Sequence, residues 1–160
     1  MGYTHYWWTR WPALPAEAFD KVVHDFKKLL PEFVRAGVVL AGMETDGVPT
    51  VCTGEISFNG KGPYGHEAFR LLHIGERPGR DGRCFEFCKT ACKPYDLAVT
   101  ACLVIAKHHL GDDIEVASDG SSEDWRDAKT LCQAVLGYGV GVGVPEPQRP
   151  ITPPDGGLDL

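Results

Sequence analysis

The segment Tyr95–Leu110, YDLAVTACLVIAKHHL, constrains the fold of this 160-residue chain more than any other stretch. It carries no charged residue between Asp96 and Lys107 and is apolar on nearly every side. A helix of that kind has no polar face to offer water, so its place is central and buried. Pro94 suits the first turn, where a missing N–H costs little. Asp96 then falls at the third helical position, where a carboxylate suits the exposed amides. His108 and His109 stand at the negative end of the helix, and Gly111 is a natural stop. The rest of the chain must supply layers to cover this helix.

Two further helices have a single apolar face. From Ala16, residues Phe19, Val22, Val23, Phe26, Leu29, Leu30 and Phe33 recur at spacings of three and four, with Pro31 expected to break or kink the last turn. After SDGSSEDW, with Ser121 or Ser122 as cap, Trp125, Ala128, Leu131, Cys132, Val135 and Leu136 form a buried stripe. Strands are expected over 3–11, 48–58, 67–74, 83–88 and 114–118, where branched and aromatic residues lie between Gly- and Pro-rich turns. The order strand, helix, three strands, helix, strand, helix points to an α+β fold. Its simplest form is a single two-layer sandwich, with a mostly antiparallel or mixed sheet of about five strands and three helices. Residues 1–138 form one globular domain in this reading. Residues 139–160 form a Gly/Pro-rich extended or disordered tail, with five of the twelve prolines between 145 and 154.

Composition excludes several classes of function. Sixteen Lys+Arg against twenty-two Asp+Glu give a net charge of −6, which disfavours sequence-blind nucleic-acid binding. No apolar run approaches the roughly 20 residues of a membrane helix, and MGYTHYWWTRWP lacks the features of a secretion signal. The expected setting is therefore cytoplasmic, with no membrane and no nucleic acid as partner. In that reducing setting the six cysteines are expected as free thiols. Cys84, Cys88 and Cys92 recur every four residues, but without the second pair or matching histidines of a zinc site, so no metal is expected. There is no P-loop, no G-x-G-x-x-G after a strand, no G-x-S-x-G and no H-E-x-x-H, and no cofactor is expected.

The most unusual polar stretch is FCKTACKPYD, residues 87–96, between a strand and the start of the apolar helix. A helix start offers unpaired amides to an anion, and Lys89, Thr90 and Lys93 add donors and charge there. Cys88 lies close to the same positive end, an environment that lowers a thiol pKa and makes a nucleophile. His66 and Glu67 at a turn, with Asp119 after a strand, are candidate acids or bases. Only one of the adjacent pair His66 and Glu67 can face a given pocket. Asn59 in FNG and Asp119 in SDG suit a pocket rim, although turn chemistry alone accounts for both. Trp8 suits stacking on a flat ligand, with His5 as a polar group in the same wall and an alternative base for Cys88. The function these residues point to is acid/base chemistry without a metal, such as hydrolysis, isomerisation or elimination, on a small anionic molecule. The alternative is a non-catalytic binding protein for a small anionic metabolite or nucleotide.

Taken together, MGYTHYW, FNG, HE-x-F, FCKT-x-x-KPYD and SDG followed by a tryptophan resemble a group of short, uncharacterised microbial proteins that open with the same MGYTHYW string. The likeness runs from residue 1 to about residue 136 and implies no particular reaction.

Overall fold

The computed structural model describes residues 3–146. Its elements are β1 (Thr4–Thr9), α1 (Ala16–Arg35), β2 (Leu40–Ala41), β3 (Thr50–Cys52), β4 (Glu55–Gly60), β5 (Phe69–Leu72), β6 (Cys84–Lys89), α2 (Asp96–Leu110), β7 (Ile114–Ser118) and α3 (Arg126–Leu136). The class is α+β with antiparallel pairing, as the residue pattern indicates.

The strands divide into two sheets. In the first, β1 is central and pairs antiparallel with both β6 and β7. In the second, β4 is the hub and pairs with β2, β3 and β5. The expected strand 48–58 is thus a hairpin, folded at Gly54, whose φ of 95° suits a residue without a side chain. The short β2 carries too few residues to show a period of two.

α2 is buried along nearly its whole length, from Ala98 through Ala106. It packs against both α1 and α3, which also touch each other, and against β7. α1 continues through Pro31, contrary to the expected break. Pro31 lies on the exposed face, where the carbonyl that loses its partner can turn to water, and continuing the helix buries Phe33. Aromatic rings join the layers: Phe26 stacks on Phe58 at 5.5 Å, Phe58 meets Phe69 at 5.1 Å, and Phe69 meets Trp7 at 5.0 Å.

The chain after α3 returns to the first sheet. Val144 is buried in the core, and the Glu146 amide donates to the Val116 carbonyl at 3.0 Å on the free edge of β7. The Glu146 carboxylate accepts from the Val116 amide and pairs with Lys107 at 3.2 Å. This covers a strand edge that would otherwise be open to pairing. Residues 147–160, the greater part of the expected tail, lie outside the described residues. No helix among the described residues is long and apolar enough to cross a membrane.

Candidate functional site

The start of α2 is filled. Tyr95 and Thr90 are buried there, and the Tyr95 hydroxyl donates to the Glu67 carbonyl. The Thr90 hydroxyl donates to Asp96 Oδ1 at 2.6 Å, and His5 Nε2 reaches the same oxygen at 2.7 Å. His5 Nδ1 lies 2.8 Å from Ser118 Oγ. That oxygen also accepts from the Gly120 amide at 2.8 Å and the Trp125 indole at 3.3 Å. The Tyr3 hydroxyl also bonds the Ser118 side chain, so Ser118 gathers β1, the turn after β7 and Trp125 into one network. The composition is that of a Ser-His-Asp triad. His5 is fully buried and Ser118 is 1% exposed, so no reacting atom reaches the hydroxyl. These side chains tie β1, β7 and α2 together.

The expected anion pocket at this helix end is therefore occupied by protein. Lys89 is exposed, and Lys93 Nζ donates to the Pro63 carbonyl at 2.9 Å. Cys88 is fully buried on the inner face of β6, and burial pushes its thiol up to about 12 rather than down. Removal from water outweighs the nearby helix end, and such a thiol is no nucleophile at neutral pH.

The other expected residues are dispersed. The His66 side chain is exposed, while Glu67 Oε1 accepts from the Lys89 amide at 2.9 Å. Asn59 is buried and holds the 60–66 loop, binding the Gly60 and His66 amides through its oxygen and the Met43 and His66 carbonyls through its nitrogen. Asp119 is exposed and accepts from the Thr4 amide at 3.0 Å. Trp8 lies on the outer face of the first sheet against Phe85, with the Arg83 guanidinium 5.6 Å from its ring centre. The alternation of β1 places His5, Trp7 and Thr9 inward and sends Trp8 the other way.

A different cavity is open. β5 and β6 run side by side but belong to separate sheets. Toward one end they are tied by the Glu67 amide donating to the Lys89 carbonyl at 3.2 Å. Toward the other end lies a cavity of about 520 Å³, within the usual range for a small-molecule site. β5 contributes Arg70, Leu71 and Leu72, and β6 contributes Cys84, Phe85 and Glu86. Trp7 and Thr9 of β1 and the loop 75–79, with Glu76 and Arg77, complete the wall. Gly75 is required at this loop's base, because a Cβ there would overlap Cys84 Sγ.

Charge in the cavity is arranged around Arg70. Its guanidinium grips Glu76 with two bonds of 2.7 and 3.2 Å, and Nη2 lies 3.8 Å from Glu86 Oε2. Partial burial raises the Glu86 carboxyl above its ordinary range, and the Glu76 charge adds to the rise. Arg70 and Arg77 oppose it without cancelling it. Burial also raises the Cys84 thiol, so this sulfur stays protonated.

The alternation CFEFC carries the legible signal for Glu86. Cys84, Glu86 and Cys88 share one face of β6, and a carboxyl between two apolar thiols on an inward face calls for a partner or a purpose. Nothing local in the sequence indicates that Arg70 and the 75–79 loop meet it.

The thiols provide a direct check on this geometry. Cys52 and Cys92 are exposed, whereas Cys84, Cys88, Cys102 and Cys132 are buried. Alkylation of the native protein under mildly alkaline conditions is expected to modify Cys52 and Cys92 only, with the other four reacting after denaturation. Rapid native labelling of Cys88, read by peptide mass spectrometry, would contradict the structure. Among the described residues no group of three or more His, Cys, Asp or Glu side chains is placed to hold a metal ion.

Fold and cleft together define a small α+β protein with a two-arginine, two-carboxylate cavity between its sheets. Comparison with protein-family models, curated proteins and solved structures finds no match.

Proposed function

We propose that the cavity between β5 and β6 binds a small anionic molecule and carries out metal-free acid/base chemistry on it, with Glu86 as the proton-transferring group. Arg70 and Arg77 hold the anionic group, and Leu72 and Pro78 flank the rest of the molecule. The supporting observation is that a carboxyl with raised proton affinity opens into the same cavity as two guanidinium groups. A carboxyl shifted upward has a proton to give nearer neutral pH, and accepts it back readily, as isomerisation, elimination or hydrolysis requires. The six unpaired thiols support a cytoplasmic setting.

Thermal-shift screening of small carboxylates and phosphates tests this reading. A stabilising compound is expected whose effect disappears in Arg70→Ala and weakens in Arg77→Ala. Lys89→Ala and Lys93→Ala are expected to keep it. Retention of the effect in Arg70→Ala, with loss in Lys93→Ala, would return the site to the start of α2. Binding that persists without any turnover would favour the non-catalytic alternative.

A further inference from the structure

Glu76 belongs to the loop that closes the cavity, and its side chain is 62% exposed. Even so, its carboxylate occupies the Arg70 guanidinium with two parallel bonds, the geometry in which arginine recognises a planar carboxylate. A pair this exposed contributes little, because water competes for both partners. Arg70 itself is 30% exposed, and its fork points into a cavity that also holds Arg77 and Glu86. The carboxylate therefore sits in the strongest anion-binding position of the site while being held there weakly.

We infer that the Arg70 fork is a carboxylate subsite and that Glu76 is its internal occupant, displaced when a ligand's own carboxylate enters. The inference rests on the cavity being a ligand site and adds the ligand's chemical class and the manner of its entry. The Arg70 fork already matches the two coplanar oxygens of a carboxylate, and a single incoming carboxylate restores the charge that Glu76 takes with it into water. Leu72, on the same face of β5 as Arg70, and Pro78 of the loop offer apolar contact to a small hydrocarbon body behind that carboxylate. When Glu76 leaves, its side chain alone swings into water, the loop staying held by the Gly75 amide on the Pro12 carbonyl at 2.9 Å and the Gly79 amide on the Arg83 carbonyl at 2.6 Å.

Benzoate and inorganic phosphate are the probes, titrated calorimetrically into the wild type, Glu76→Ala, and Glu76→Ala with Arg70→Ala. Removing the competitor is expected to tighten benzoate about fivefold, the ratio that corresponds to an exposed pair of roughly 1 kcal/mol. Phosphate is expected to gain less. Unchanged benzoate affinity in Glu76→Ala, or no benzoate binding to it, overturns the displacement. An equal or greater gain for phosphate overturns the carboxylate class. Benzoate binding that survives loss of Arg70 overturns the cavity reading itself, a result distinct from the other two. Glu76 lies at the exposed mouth, so its replacement leaves the fold intact, and a circular dichroism melt verifies this.

Discussion

His5→Ala is expected to lower the free energy of unfolding by about 2–4 kcal/mol, a large share of the roughly 5–15 kcal/mol that holds a typical domain together. The substitution removes the imidazole from the buried Ser118 hydroxyl and from Asp96, which keeps Thr90 as a donor. It also opens a space beside Trp125, whose ring packs edge-on against His5 at 5.2 Å. Ser118→Ala is expected to cost less, because the hydrogen bonds of Gly120 and Trp125 lose an acceptor while the imidazole stays in place. Urea denaturation with an unchanged slope is the appropriate measurement, since a changed slope would signal an altered unfolding transition. A wild-type midpoint for His5→Ala would show that this network does not hold β1, β7 and α2 together.

The second large effect concerns Glu86. With a ligand identified by the thermal-shift screen, Glu86→Gln is expected to reduce turnover by roughly 10²–10⁴-fold, the usual contribution of a positioned acid or base. Binding through Arg70 should persist, so the loss falls on kcat rather than KM. The same variant has a stability signature of defined sign. Because burial raises the Glu86 carboxyl in the folded state, its favourable contribution is complete below the ordinary carboxyl range and is lost as pH rises through the folded value. Glutamine cannot ionise and escapes that loss. Glu86→Gln is therefore expected to melt above the wild type at neutral pH, with the difference closing on acidification. A variant no more stable at neutral pH would place the carboxyl in an environment more like water. Unchanged turnover would remove Glu86 from the chemistry.

The site expected at the start of α2 and the cavity found between β5 and β6 differ for a physical reason. Lys89, Thr90 and Lys93 were legible as a cationic cluster at a helix start because they are neighbours in sequence. Whether such a start is hollow depends on groups from far along the chain. Here His5 arrives from β1 and Ser118 from β7, and Tyr95 turns in from the loop, so the place is taken. The Arg70–Glu86 cavity has the opposite history. Its residues are separated by a turn-rich segment whose path no local pattern specifies, and they meet because β5 and β6 lie together without joining one sheet. Alternation along β6 marks Glu86 as inward but does not identify what it faces.

By itself the sequence determined the three helices, the buried character of α2, the inward and outward faces of β1 and β6, and the α+β class. Each of these follows from a period of 3.6 or 2, or from uniform apolarity, properties carried within a few turns of chain. Only tertiary structure decided that the strands form two sheets, that the polar end of α2 is sealed, and that a cavity opens between β5 and β6. Those outcomes depend on side chains tens of residues apart competing for the same space and the same hydrogen-bond partners, and no local period records the winner.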